Sequence, residues 1–189
     1  MESHGKPNPL ERTGRPPLAA WAEDALPDES RQQLLHLEEL WRDSARTRAE
    51  QPERGRATGV GARFTGAGSP AKVVAALALS ARLGAGLLAV NVPAVVHTYI
   101  GETEKNLSQL FDAASIAGAV LFFDEADALF GSRTDVKDGH ARYQNGDVGL
   151  LLQRLENHTG LIILATNVAQ TDEVTLFART LVEVRFPAP

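Results

Sequence analysis

The stretch Phe64–Val74, FTGAGSPAKVV, decides how this chain reads. A short strand-like run, ARFT over 62–65, leads into it. An Ala-rich run, AKVVAALALSARL over 71–83, leads out with an apolar stripe at helical spacing. A glycine-rich turn ending in a lysine lies between them. That order is the one used by phosphate-cradling loops, G-x-x-x-x-G-K-[S/T]. In such a loop backbone N–H groups point at phosphate oxygens, the lysine reaches the β and γ phosphates, and the hydroxyl binds Mg²⁺. Gly66 fills the first position here and Lys72 the lysine. Ala71 replaces the glycine before the lysine, and Val73 replaces the hydroxyl residue. Pro70 lacks an N–H donor and has a fixed φ. Gly68, two residues after Gly66, gives the turn room to shift. The candidate phosphate-binding set is therefore Gly66, Ala67, Gly68, Ser69, Pro70, Ala71, Lys72 and Val73. Lys72 and a helix N-terminus still favour an anion. Valine offers no oxygen to Mg²⁺, which prefers near-octahedral oxygen ligands. The expectation is weakened phosphate affinity and still poorer metal placement.

Outward from this loop, apolar strands alternate with helices. GLLAVNV (86–92), AVLFFDEAD (119–127, ending in acids), GLIILATN (160–167) and LVEVRF (181–186) read as strands. Helices are expected at 103–118, with Leu107, Leu110, Phe111 and Ala114 on one face, at 146–158, and briefly near 172–180. Alternation of this kind implies parallel strands covered on both faces. Ligands then bind beyond the carboxyl ends of the strands. Three polar signals fall at that edge: GAGSPAK after the first strand, DE after the third and ATN after the fourth.

Asp124 and Glu125 follow four apolar residues directly. Such a pair suits holding Mg²⁺ and orienting an attacking water. It reads equally as a solvated acidic turn. Asn167 at its strand end suits sensing a terminal phosphate, or simply a turn. Asp127 reads as structural, at a helix start. His36, His97, His140 and His158 show no metal-ligand spacing.

Towards the N-terminus, residues 1–27 contain five of the ten prolines and read as a flexible arm. A helix follows, with Asp28 as its cap and Leu34, Leu37, Leu40 and Trp41 at helical spacing. Residues 51–62 read as a connector. The net charge of −5 argues against general nucleic-acid binding. The chain has no cysteine, which excludes disulfides and cysteine-ligated zinc. No run approaches the roughly 18 apolar residues of a membrane span, so no membrane partner is expected and a cytoplasmic place is the default reading.

The segments YIGETEKNL, VLFFDEADALFGSRTDVKDGHARYQN and LLLQRLENHTGLIILATN resemble the AAA family of P-loop ATPases. They are most similar to bacterial members related to the ATPases of contractile injection systems. The resemblance runs from about Asp28 onward and is specific from Tyr99 to Asn167. It implies an α/β three-layer sandwich on a five-stranded parallel sheet in which the loop-bearing first strand is central. It implies ATP and Mg²⁺ as cofactors, and a homo- or hetero-oligomeric ring that remodels a protein or an assembly. By the resemblance Asp124 is the metal-side Walker B acid, Glu125 the water-activating base and Asn167 the sensor. Tyr99-Ile100-Gly101 match a loop that grips polypeptide in the ring's channel; a core or rim aromatic is the other reading of Tyr99. Ser69 stands where the family commonly has a further glycine. Arg179 is the candidate arginine finger, out of register by about one residue, and a surface arginine is its alternative. A one-residue slip turns a helical side chain by about 100°. The family continues past the last strand into a helical lid, for which RFPAP provides no residues. Residues 28–189 are thus expected to form the large subdomain alone. The alternative to an active ATPase is a catalytically weak or inactive subunit, or a remnant, acting through protein–protein contacts.

Overall fold

The computed structural model describes residues 10–13, 26–50, 59–66, 69–93, 102–129, 141–167 and 181–187. Five parallel strands form the body of the sheet: β2 (Gly61–Gly66), β3 (Leu87–Asn91), β4 (Val120–Asp124), β5 (Ile162–Ala165) and β6 (Leu181–Phe186). Their spatial order is β3-β4-β5-β2-β6. The loop-bearing strand β2 is not the central strand that the resemblance implies: β5 holds the middle place among the five, and β2 lies one place from it, between β5 and β6. Within the expected N-terminal arm, Leu10–Thr13 form a further strand, β1, antiparallel to β3 at the edge.

Two helical layers cover the sheet. On one face α1 (Asp28–Glu50) and α2 (Ser69–Arg82) pack Leu34, Leu37, Ala75, Ala76 and Leu79 onto Ala62, Phe64, Phe122 and Ile163. On the other, α3 (Glu102–Ala117) and α4 (Ala141–Asn157) set Leu107, Leu110, Phe111, Ala114, Leu151 and Leu155 against Leu121, Phe123 and Leu164. Strand β4 is buried on both faces, so its sequence is a continuous apolar run. Strands β2 and β6 differ. Ala62, Phe64, Val182 and Val184 face the first core, whereas Arg63 and Thr65 alternate with them and lie in register with Glu183 and Arg185. Arg63 pairs with Glu183 at 3.4 Å, and the Thr65 hydroxyl donates to the same carboxylate at 3.3 Å. The polar face is thus built of cross-strand pairs.

Element boundaries shift from their sequence-based positions for local reasons. Helix α2 begins at Ser69, two residues before Ala71. Pro70 fits its first turn, where backbone N–H groups have no intrahelical acceptor. Asp28 is not the cap of α1. The carbonyl of Pro27 accepts the first helical bond, from Arg31 N at 3.0 Å, and the Asp28 carboxylate pairs with Arg31 inside the first turn. Strand β4 stops at Asp124, and a 3₁₀ turn takes Ala126–Leu129. Helix α4 begins at Ala141, five residues before the apolar stripe that announces it. The short helix expected near 172–180 lies outside the described residues.

Helix α1 also protects the edge of the sheet. The Ser30 hydroxyl donates to the Arg185 carbonyl, and the Arg185 N–H donates to Gln33 Oε1 at 2.8 Å. Both backbone groups of that β6 residue are thereby satisfied by side chains, which blocks strand addition there.

Candidate functional site

The carboxyl ends of β2, β3, β4 and β5 place Gly66, Asn91, Asp124 and the pair Thr166-Asn167 along one edge. Each is delivered by the end of an apolar strand, so the core fixes its starting point. Gly66 has φ +106°, and a Cβ there would lie 1.8 Å from the Phe186 carbonyl oxygen. Only glycine meets both conditions.

Lys72 projects from the first turns of α2 and is 1% exposed. Its ammonium donates to the Thr166 carbonyl at 2.7 Å and to Asn167 Oδ1 at 2.9 Å. The loop's lysine and the strand-end amide are therefore in direct contact. Burial pushes the Lys72 ammonium below the usual lysine range, against the opposing pull of Asp124 and Asp127.

Asp124 is half-buried, and its Oδ1 accepts the Glu125 N–H at 3.0 Å. Glu125 is exposed and takes φ +54°. Among the described residues it is the one non-glycine with a positive φ. Such a conformation turns the chain sharply out of β4 and sends the Glu125 side chain away from the strand line. Glu125 Oε1 lies 3.5 Å from Asn91 Nδ2.

Asp127, in the 3₁₀ turn, receives the Thr166 hydroxyl on Oδ1 and the Asn167 N–H on Oδ2, the latter at 3.1 Å. The structural reading of this residue holds, and its reach is wider than its position suggests. It links the turn after β4 to the end of β5, and its charge bears on Lys72. Asp127, Thr166 and Asn91 are the site residues that sequence reasoning passed over or undervalued. Thr166 stood beside Asn167 in ATN, and a hydroxyl next to a candidate sensor was the one available signal.

The structure thus brings Gly66, Lys72, Asp124, Glu125 and Asn167 to one edge. Pro70 and Ala71 are exposed on the first turn of α2, and Val73 is half-buried against the first core. Ser69 begins that helix. Ala67, Gly68, Tyr99, Ile100, Gly101 and Arg179 lie outside the described residues. The arrangement fits a phosphate group, since a buried cation, the start of α2 and a crowded glycine turn converge. It fits a divalent cation less fully. Asp124 supplies a carboxylate, while Val73 supplies no oxygen, and no group of three His, Cys, Asp or Glu that could hold a metal occurs among the described residues.

The model of the ATPase family associated with various cellular activities (AAA) matches residues 60–188. An uncharacterised AAA family ATPase of Sinorhizobium fredii is 32% identical over 118 residues, covering 61% of this chain and 35% of that protein. The ATPase family gene 2 protein of Saccharomyces cerevisiae is 32% identical over 95 residues, 50% of this chain and 12% of its own length. The peroxisomal ATPase PEX6 of Dictyostelium discoideum is 36% identical over 87 residues, 43% of this chain and 7% of its own. The match spans about a third of the first relative and far less of the other two.

Proposed function

Because the chain belongs to the AAA family of ATPases, we propose that it binds ATP at the β2–α2 turn and serves in a ring that remodels a protein or an assembly. The observation that carries this reading is the Lys72 ammonium resting on Asn167 Oδ1 at 2.9 Å, beside Asp124. A phosphate-binding lysine and a phosphate-sensing amide need to share one small volume, and these two do. Lys72 would hold the β and γ phosphates, and the N–H groups at the start of α2 would add to its field. Asp124 would hold Mg²⁺, whose chemistry is to neutralise phosphate charge. Glu125, exposed at the mouth of the site, would take the proton of an attacking water on a carboxylate oxygen. Asn167 would orient that water or the terminal phosphate. The finer assignments belong to the same proposal: a degenerate Walker A loop over 66–73, a Walker B pair at Asp124-Glu125, a gripping loop at Tyr99-Ile100-Gly101, and Arg179 as the finger. So do the unit of residues 28–189, a cytoplasmic setting and kinship to the injection-system ATPases.

One observation favours a second reading, a catalytically weak subunit. The Lys72 ammonium already has two protein acceptors, so phosphate must displace or share them. Val73, besides, offers no oxygen to a metal. We expect weak ATP binding with little Mg²⁺ dependence, and turnover near background. Calorimetric titration with ATP, with and without Mg²⁺, tests both readings. Lys72→Ala should abolish binding. ATP affinity untouched by Lys72→Ala would place the nucleotide elsewhere, and wild-type turnover on the order of 1 s⁻¹ or faster, lost in Glu125→Gln, would reject the weak-subunit reading.

A further inference from the structure

We propose that Asp127 is a positioning residue. It clamps the end of β5 to the turn after β4, and so holds Asn167 against Lys72. The inference deepens the nucleotide-site reading and rests on it for the role of Asn167.

Three contacts carry it. The Asp127 carboxylate takes the Thr166 hydroxyl on one oxygen and the Asn167 N–H on the other. Those two groups belong to the residues whose carbonyl and side-chain oxygens receive the Lys72 ammonium. Asn167 itself is exposed and lies beyond the last paired residue of β5, so no ladder hydrogen bond orients it. A carboxylate accepting two donors from adjacent residues fixes both the φ/ψ path and the direction of the strand's exit. Hydrogen bonds to a charged acceptor are about twice as strong as neutral ones. Asp127 is in turn fixed by the 3₁₀ turn that follows the left-handed Glu125. Asp127 therefore links the turn after the Asp124-Glu125 pair to Asn167, in addition to the direct charge interaction of Asp124 with Lys72.

The test has an arm that needs no nucleotide. The purified chain is acetylated with a water-soluble N-hydroxysuccinimide ester, and labelling of Lys72 is read against the exposed Lys105 by mass spectrometry. In the wild type Lys72 should label slowly. Asp127→Asn keeps the shape but removes the charge and leaves one acceptor oxygen where two donors were held, and Thr166→Val removes the hydroxyl. Each should raise Lys72 labelling about tenfold relative to Lys105, with amide exchange across β4 and β5 unchanged. Thr166→Ser should stay at the wild-type level. Lys72 labelling unchanged in both Asp127→Asn and Thr166→Val overturns the proposal. So does a rise seen only together with lost exchange protection throughout β4 and β5, since that is general destabilisation. In the second arm, affinities for ADP and ATPγS are compared. Asp127→Asn should erase any preference for the triphosphate to the same extent as Asn167→Ala, leaving ADP affinity within about twofold. A wild type that binds neither nucleotide rejects the nucleotide reading, and the labelling arm still decides the role of Asp127.

Discussion

Gly66 and Glu125 show how single residues shape the site. Gly66 ends β2 with φ +106°, and an added Cβ would sit 1.8 Å from a backbone carbonyl of β6. A backbone atom cannot rotate aside as a side chain can. Gly66→Ala should therefore cost about 1–3 kcal/mol from the conformation alone, and more from the clash, read as a lowered urea midpoint. A midpoint equal to that of the wild type would show that β6 yields freely. Glu125 presents the opposite case. Its φ of +54° is strained for a residue with a Cβ. Glycine there should relieve about 1–2 kcal/mol of strain, offset by about 0.4–1 kcal/mol of added unfolded-chain entropy, for a net gain of about 1 kcal/mol or less, while removing the carboxylate proposed to accept the proton. Glu125→Gly is thus expected to melt higher than the wild type and to lack any Glu125-dependent turnover. If glycine destabilises the chain, the Glu125 side chain contributes more through its neighbours than the turn costs. An outlier at a candidate catalytic position is the pattern expected where strain serves chemistry.

At the scale of elements the loop and α2 must be considered together. Because α2 starts at Ser69, Pro70 occupies a helical first turn and removes an amide that had no intrahelical acceptor. That amide is still one that could face a phosphate. Ser69→Gly, Pro70→Thr, Ala71→Gly and Val73→Thr together restore a donor, two glycines and a metal-binding hydroxyl. The quadruple variant should bind Mg-ATP at least about tenfold tighter than the wild type, as one or two charge-assisted hydrogen bonds would provide. An unchanged affinity in the same titration would show that the Lys72–Asn167 contact, and not the loop, limits binding. Much of this architecture was legible in the sequence. The apolar run VLFF read as a buried strand because it alternated with helical segments, and the acids directly after it fell at the carboxyl edge of the sheet. The 3.6-residue spacing of Leu107, Leu110, Phe111 and Ala114 specified the buried face of α3, and all four are buried. Helix starts were harder, because Pro70 and Ala141 lack the apolar periodicity that marks helix interiors. The clamp by Asp127 was out of reach as well. It joins positions 39 and 40 residues apart, and no spacing rule links an acid after one strand to a hydroxyl after the next. Likewise the sequence VEVRF shows alternation, but only the register with β2 reveals that Glu183 faces Arg63.

Across the whole molecule, α1 is the element that ties distant parts together. Its buried Leu34 and Leu37 fill the first core, Ser30 and Gln33 close the β6 edge, and Arg48 stacks on Trp41 at 4.6 Å while donating to the Thr159 carbonyl before β5. Glu38 is the electrostatic pivot between α1 and α2. One carboxylate oxygen receives Arg42 Nη2 at 2.7 Å, the other receives Arg82 Nε at 2.6 Å, and Arg42 also reaches the Arg82 carbonyl at 3.1 Å. Burial alone would raise the Glu38 carboxyl, but the two guanidinium groups outweigh it and hold the group below the ordinary glutamate value. Glu183, on the far sheet face, is likewise raised by burial and lowered further by Arg185 and Arg63. A carboxyl with a depressed folded-state value binds fewer protons than its unfolded counterpart in the range between the two values. Stability must therefore be complete above the ordinary glutamate range and be lost as pH falls through the lowered folded values. Arg42 and Arg82 are partly solvated, so screening keeps the Glu38 contribution to about 1–2 kcal/mol. Glu38→Gln should lower the denaturation midpoint at neutral pH by that amount. It should also flatten the acid side of the stability curve, because the variant has one fewer carboxyl to protonate. Urea unfolding from about pH 3 to pH 7 measures both effects together. A variant that loses stability equally at every pH would show that Glu38 acts through packing at the α1–α2 contact and not through its charge.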